Sequence, residues 1–218
     1  MKEFEVSFNF KARYYRLGEI TSETQKVWFV FHGYGQLAQF FLRKFAVLES
    51  NETCIIAPEG LSHFYLEDVA SRSQTGNNKV GATWMTRENR LADIENYITY
   101  LNQIFENEIP NSFKGQITLC GFSQGAATVS RWALEGKVSF HRLIVWAGIF
   151  PPDMDFKKGA EMLSQKEVIE VYGSQDPFLT EERLNELTQL NKRLGINPRL
   201  VPFDGGHEIN SEILLQLR

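Results

Sequence analysis

The chain has 218 residues, of which 43% are hydrophobic and 23% charged, and this length is enough for one α/β domain with a full core. The formal net charge is −4 and the basic residues are scattered, which argues against nucleic acid or an anionic membrane surface as a partner. The first residues lack an apolar signal core, and no run approaches 18 apolar residues, so we expect a cytoplasmic protein without integral membrane association. The two cysteines, Cys54 and Cys120, lie in apolar runs and are expected to be buried free thiols rather than metal ligands.

The first sixty residues predict several strands. Apolar residues alternate with polar ones over Phe4–Phe10, which predicts a half-buried edge strand, and Tyr14–Ile20 could be its antiparallel partner. The continuous apolar run Val27–Phe31 is typical of a strand covered on both faces. A helix is indicated over Leu37–Leu48, and Thr53–Ala57 is a second buried strand.

The segment from Pro58 to Trp84 shows little periodicity and is rich in Ser, Asn and Gly, which predicts a long loop. Loops of this length in compact domains often have a function. Its aromatic residues Phe64, Tyr65 and Trp84 are candidates for the lining of a substrate pocket, although each taken alone is more expected in the core.

The second half of the chain alternates helices with apolar strands. This order, after an antiparallel N-terminal edge, predicts a mostly parallel twisted sheet with helices on both faces. We see no repeat or linker, so the expected organisation is a single α/β domain over residues 1–218. The predicted elements are the helices Arg87–Glu106, Thr180–Leu194 and Glu208–Leu217 and the strands Leu143–Ala147, Val168–Tyr172 and Pro198–Phe203.

The segment Ile117–Ala126 carries the strongest motif. It is a buried strand, then Gly121-Phe-Ser-Gln-Gly125, then small residues that open a helix ending near Gly136. A G-x-S-x-G sequence between strand and helix is the pattern of the nucleophile elbow of an α/β-hydrolase, and it makes Ser123 the candidate nucleophile. The alternative is a glycine-rich turn in which Ser123 only caps the helix.

A serine nucleophile needs a histidine base, and functional groups of parallel sheets gather past the carboxyl ends of strands. His207 directly follows the last predicted strand and is the favoured base. His32 follows the first buried strand, His63 lies in the long loop, and His141 begins a strand, away from the carboxyl edge.

The third member should be a carboxylate that orients the imidazole. Asp176 lies just past a buried strand, in a short turn before Pro177, and is favoured over Asp153 and Asp155. Asp204 is too close to the histidine along the chain and is expected to shape its loop. Ser123, Asp176 and His207 then follow the chain order Ser, Asp, His of this fold.

An oxyanion hole needs backbone N–H groups aimed at the developing negative charge. One is expected from Gln124, the residue after the nucleophile. The other is expected from Tyr34, within the glycine-containing loop that follows the first buried strand, unless that loop is a simple turn.

These residues resemble the phospholipase/carboxylesterase family of small α/β-hydrolases, which is related to acyl-protein thioesterases. The resemblance rests on Phe31-His-Gly-Tyr-Gly35, Gly121-Phe-Ser-Gln-Gly125, Gly173-Ser-Gln-Asp176 and Gly206-His207. It implies the α/β-hydrolase fold, an esterase with the catalytic and oxyanion residues named above, and no metal or organic cofactor. Tyr34 stands where that family often has leucine. The segment 58–84 departs from the thioesterase pattern, so the thioesterase substrate does not transfer.

The sequence thus predicts a serine carboxylesterase that hydrolyses short- to medium-chain acyl esters through an acyl-enzyme intermediate, with a small acyl ester as its substrate. Short acyl groups are favoured because no apolar lid helix of the interfacial lipase type is visible. The alternatives are a thioesterase or lysophospholipase, and a hydrolase-fold protein that binds a ligand without catalysis.

Overall fold

A computed structural model of the chain describes residues 1–218. Seven strands form one sheet in the order β1-β3-β2-β6-β7-β8-β9, and a hairpin of two further strands, β4 and β5, lies outside it. The strands are β1 (Tyr14–Leu17), β2 (Lys26–Phe31), β3 (Thr53–Pro58), β4 (Ser62–Tyr65), β5 (Val80–Thr83), β6 (Gln116–Phe122), β7 (Arg142–Trp146), β8 (Glu167–Gly173) and β9 (Arg199–Phe203).

Within the seven-stranded sheet all neighbours are parallel except β1, which pairs antiparallel with β3. The predicted mostly parallel sheet with an antiparallel N-terminal edge is therefore confirmed. The helices are α1 (Ala38–Leu42), α2 (Val69–Thr75), α3 (Arg90–Glu108), α4 (Gln124–Glu135), α5 (Phe156–Leu163), α6 (Glu181–Leu194) and α7 (Ser211–Gln216), and a 3₁₀ helix over Arg43–Leu48 follows α1.

Both faces of the sheet are covered, because alternate side chains of each buried strand enter opposite cores. Val27, Phe29 and Phe31 of β2 pack in the core that includes residues of α3, α4, α5 and α6. Trp28 and Val30 enter the second core, together with α1 and α7. The continuous apolar run that predicted a strand buried on both sides is explained by these two cores. None of the seven helices combines the length and the apolarity needed to cross a bilayer.

The N-terminal prediction was wrong in one respect. Residues 1–13 belong to no strand, and the alternating apolar side chains over Phe4–Phe10 are exposed. The sheet edge offered by β3 is instead occupied by Tyr14–Leu17. Alternation makes a strand possible, but a strand also needs a partner edge, and the segment has none here.

The segment 58–84 is not a structureless loop. It holds β4, α2 and β5, and the two strands pair antiparallel with His63 opposite Ala82. The sequence missed these elements because the hairpin strands have four residues each and α2 has no buried residue to impose a periodicity. Helix α5 was also missed, whereas the helices predicted before and after it are found.

Candidate active site

The turn between β6 and α4 holds Ser123 in a strained conformation. Its φ is 55° and ψ is −117°, in a region that residues with a side chain rarely adopt. A Cβ at Gly121 would lie 2.3 Å from the Gly125 oxygen, and one at Gly125 would lie 2.3 Å from the Phe31 oxygen. Both flanking positions therefore require glycine, which is the physical content of the G-x-S-x-G motif.

The Ser123 hydroxyl does not cap helix α4, since it accepts no hydrogen bond from the first turn. The backbone of Ser123 is fixed instead by its N–H, which donates to the Trp146 oxygen of the neighbouring strand at 2.9 Å. The interpretation of Ser123 as a mere helix cap is thereby contradicted.

His207 and Asp176 form a hydrogen-bonded pair at the carboxyl ends of β9 and β8. The Asp176 Oδ2 atom lies 2.7 Å from His207 Nδ1, and the carboxylate is only 3% exposed. The other carboxylate oxygen, Oδ1, accepts the backbone N–H of Phe178 at 2.8 Å. This arrangement fixes the orientation of the imidazole and leaves its Nε2 atom available.

The imidazole lies beside the serine turn. Its ring centroid is 4.8 Å from the ring of Phe122, the residue before Ser123, and 4.8 Å from the ring of Phe178 on the other side. Within the protein, the hydrogen bond of the His207 ring runs to Asp176 and not to the Ser123 hydroxyl. Bonds between a nucleophile and its base are often long before substrate binds, and they tighten in the complex.

The three rival carboxylates have other partners. Asp153 binds Arg90 at 2.5 Å and Arg131 at 2.8 Å. Partial burial acts against ionisation, but the hydrogen bonds from these arginines hold the pKa of Asp153 below its ordinary value. Asp155 caps helix α5, and Asp204 accepts the side-chain amide of Gln175.

The loop after β2 passes directly over the serine turn. A Cβ at Gly33 would lie 3.1 Å from Phe122 Cδ1 and 3.2 Å from the Ser123 Cβ, tighter than an ordinary contact, so the two segments are closely packed. Next in the loop, the Tyr34 N–H donates no backbone hydrogen bond. The Gln124 N–H is the first of α4, where helical N–H groups lack an acceptor within the helix. Both proposed oxyanion donors therefore belong to segments that border Ser123.

His32 supports this loop as a buried, neutral residue. Its Nε2 accepts the Gly60 N–H at 3.0 Å, so its Nδ1 carries the proton and donates to the Gly33 oxygen at 2.8 Å. Burial lowers the pKa of His32 to about 4, although the bond to Gly33 acts in the opposite direction. His32 is therefore a structural element of the loop rather than a base.

The three pocket candidates lie in different surroundings. The Phe64 ring is 5.1 Å from the exposed Tyr34 ring, and the exposed Tyr65 ring carries the Arg72 guanidinium at 3.8 Å. Trp84 is 1% exposed and donates its indole N–H to the His32 oxygen at 2.9 Å. Trp84 thus packs behind the loop and Phe64 contacts its Tyr34 ring, whereas the ring contact of Tyr65 is with Arg72 in helix α2.

A second histidine–carboxylate pair was missed by the sequence reasoning. Glu59, at the end of β3, is buried and accepts His63 Nε2 at 2.9 Å, Arg13 Nε at 2.5 Å and the Ala38 N–H at 3.0 Å. Burial acts to raise the pKa of Glu59, but the hydrogen bonds from His63 and Arg13 outweigh it and leave that pKa below its ordinary value. The available signal was a glutamate directly after a buried strand.

The side chain of Gln124 was also missed. Its Nε2 donates to the Met85 oxygen and to Thr83 Oγ1, both at 2.9 Å, and its Oε1 accepts the Trp84 N–H at 3.2 Å. The motif marks the backbone of this residue but carries no signal for its side chain.

A cavity of about 840 Å³ lies at the amino ends of β2 and β6, beside Lys26 and Gln116, at the edge of the sheet opposite Ser123. No group of three or more His, Cys, Asp or Glu side chains is arranged to hold a metal ion. The functional groups at the serine turn are the Ser123 hydroxyl, the His207 imidazole, the Asp176 carboxylate and backbone amides.

The parallel sheet and the serine turn define an α/β-hydrolase. The chain belongs to the FSH1 serine hydrolase family, whose model matches residues 21–212. The protein is accordingly a serine hydrolase, and the predicted enzyme class is confirmed.

Solved structures with the same fold include esterases and thioesterases. Acyl-protein thioesterase 2 of Zea mays superposes with a TM-score of 0.68 at 15% identity, covering 95% of this chain and 98% of that one. Esterase PE8 gives 0.64 at 19% identity with 95% and 96% covered, and Arabidopsis thaliana SOBER1 gives 0.60 at 16% identity with 89% and 95% covered. At these identities the likeness shows the fold alone. No curated protein sequence matches the chain.

Proposed function

We propose that this protein is a carboxylesterase that hydrolyses short- to medium-chain acyl esters with Ser123 as nucleophile, His207 as base and Asp176 as the orienting acid. The observation that carries the proposal is the 2.7 Å bond between Asp176 and His207 Nδ1, formed beside the strained serine turn. It leaves Nε2 as the atom that can take the serine proton.

The reaction follows from these positions. His207 Nε2 takes the proton of Ser123 as its oxygen attacks the ester carbonyl, and the oxyanion forms against the Tyr34 and Gln124 amides. The intermediate collapses when His207 returns the proton to the leaving alcohol. Water, deprotonated by His207, then attacks the acyl-enzyme and releases the carboxylic acid, while Ser123 regains its proton.

The preference for short acyl groups is supported by where the open space lies. The cavity of about 840 Å³ is at the other edge of the sheet and is not continuous with the serine turn. A short acyl group needs only a small apolar surface, such as the exposed ring of Phe178 beside the His207 imidazole. We expect activity on p-nitrophenyl esters to fall from butyryl to palmitoyl, and a steady rise with chain length would overturn this part.

The catalytic assignment is tested by active-site labelling. A fluorophosphonate should label the folded protein at Ser123, and Ser123→Ala should lose both labelling and hydrolysis of p-nitrophenyl butyrate. Ser112→Ala, at an exposed serine, is the matched control. Hydrolysis retained in Ser123→Ala would remove the proposal.

A thioesterase is the second candidate, favoured by the structural likeness to the maize acyl-protein thioesterase. The comparison of butyrylthiocholine with butyrylcholine separates the two, because the acyl group and the cationic end are the same. A kcat/KM at least tenfold higher for the thioester would favour the thioesterase.

A further inference from the structure

The segment Ala82–Met85, at the end of β5, contacts both loops that carry the proposed oxyanion donors. On one side it pairs with the loop that contains Tyr34. The Gly35 N–H donates to the Ala82 oxygen at 2.9 Å, and the Ala82 N–H donates to the Gln36 oxygen at 3.1 Å. A Cβ at Gly81 would lie 2.5 Å from the Gly35 oxygen, so the two backbones are in close contact.

Trp84 adds a second attachment to the same loop. Its indole stacks on the His32 ring with centroids 4.9 Å apart, and its indole N–H bonds the His32 oxygen. Because Trp84 is buried, this contact is shielded from water and holds the start of the loop from behind.

On its other side the segment is joined to the serine turn by one side chain. The Gln124 amide bonds the Met85 oxygen, the Thr83 hydroxyl and the Trp84 N–H. Gln124 is also the residue whose backbone N–H is the second proposed donor. Three consecutive residues of the segment are therefore attached to the residue that carries this donor.

We propose that the Ala82–Met85 segment sets the distance between the two oxyanion donors, and that the Gln124 side chain is the positioning residue that links them. The proposal rests on the esterase function proposed above. The donors come from segments far apart along the chain, and their stabilisation of an oxyanion depends on a fixed separation. Gln124 acts through its own main chain and through the hairpin, without touching the reacting atoms by its side chain.

The test replaces the amide while keeping its length. Gln124→Met should lower kcat for p-nitrophenyl butyrate about 10- to 100-fold with KM changed less than about threefold, because a displaced donor weakens transition-state binding selectively. Gln116→Met, at an exposed glutamine at the start of β6, the strand that leads into the serine turn, is the matched control and should behave as the wild type.

A transition-state analogue separates positioning from general damage. A trifluoromethyl ketone forms a tetrahedral adduct with the serine, so its Ki should rise in Gln124→Met by about the factor lost in kcat/KM. The melting temperature identifies any unfolded variant, and Thr83→Val, which removes one partner of the amide, should then show a smaller loss of the same kind.

The outcomes distinguish the two proposals. A wild-type protein that neither hydrolyses esters nor reacts with fluorophosphonate overturns the esterase function. An active wild type together with a folded Gln124→Met or Thr83→Val that keeps the wild-type kcat and Ki overturns the positioning role alone. A parallel loss in kcat/KM and Ki supports it.

Discussion

Two histidines of this protein bind buried carboxylates, and only one of them lies at the serine turn. His207 contacts Asp176 at 2.7 Å and His63 contacts Glu59 at 2.9 Å. The two carboxylates are 3% and 1% exposed. By distance and burial alone the two pairs could not be told apart.

The pairs differ in the ring nitrogen used and in the remaining partners. His207 binds through Nδ1, which leaves Nε2 free beside the serine turn, whereas His63 binds through Nε2. Glu59 also accepts hydrogen bonds from the Arg13 guanidinium and from the Ala38 N–H, so its negative charge is stabilised by partners other than the histidine. A paired imidazole therefore becomes a candidate base through the nucleophile beside it, whereas the His63–Glu59 pair attaches β4 to the core.

The largest difference is expected between the two histidines. His207→Gln should lower kcat/KM on p-nitrophenyl butyrate about 10⁴-fold, because the serine loses its proton acceptor. His63→Gln should change it by less than about threefold. Steady-state kinetics of both purified variants measure this, and a comparable loss in both would mean that the pairs are not functionally distinct.

Replacing each of the two carboxylates by its amide should affect activity in one case and stability in the other. Asp176→Asn should lower kcat about 10²- to 10⁴-fold, since the imidazolium formed during attack is no longer stabilised. Glu59→Gln should keep kcat but reduce the free energy of unfolding by about 1–3 kcal/mol, because Arg13 and His63 lose a charged acceptor in a buried place. Urea unfolding and kinetics on the same samples test this, and the reverse pattern would contradict the assignment.

A third buried carboxyl differs from both of these because it pairs with no charged side chain. Neither oxygen of Glu170 on β8 has a donor within hydrogen-bond distance, and burial raises its pKa to about 7, against a smaller lowering of the pKa by the nearby Asn191 amide. Its neutral form is thus favoured in the folded state. The free energy of unfolding is therefore undiminished by this carboxyl below about pH 4.5, the ordinary pKa of a glutamate. It falls as the pH rises toward 7, because the buried group must then ionise.

Glu170→Gln should therefore raise the free energy of unfolding more at pH 8 than at pH 4.5. The difference between the two effects should be about 2–3 kcal/mol, which follows from the rise of the Glu170 pKa to about 7. Urea denaturation at the two pH values measures the difference. Glu161→Gln, at an exposed glutamate of α5 that forms no ion pair, is the control. An equal effect of Glu170→Gln at both pH values would mean that this carboxyl titrates normally.

The smallest effect is expected from removing residues 2–12, a change that leaves both pairs intact because it stops before Arg13. The apolar side chains of Phe4–Phe10 are exposed and contribute little burial. The melting temperature and kcat/KM should stay close to those of the full chain. A marked loss of stability would show that this segment is covered in solution.

Features that depend on neighbouring residues along the chain could be predicted from the sequence. The serine turn requires glycine at two positions because backbone atoms approach within 2.3 Å of where a Cβ would be, and such a requirement can be read in five letters. Apolar runs predicted the buried strands. Because functional side chains of parallel sheets lie just past the carboxyl ends of the strands, the turns after β8 and β9 predicted Asp176 and His207.

The rest depended on contacts between distant segments. Phe4–Phe10 alternates well but meets no partner edge, while the less regular Tyr14–Leu17 pairs with β3. The β4–β5 hairpin is held by Gly81 against Gly35 and by the Gln124 amide, and neither contact has a signature in composition. Glu59 was unremarkable in the sequence because its partners, Arg13 and Ala38, are remote in the chain.

The strand order places the proposed catalytic residues on strands of different local stability. Ser123 follows β6, a central strand paired on both sides, whereas His207 follows β9, an outermost strand with β8 as its single neighbour. Outer strands open by fluctuation at lower free-energy cost than central ones, as amide hydrogen exchange detects. Moderate heating should therefore abolish hydrolysis by detaching β9, at a temperature at which the amides of the central strands are still protected from hydrogen exchange.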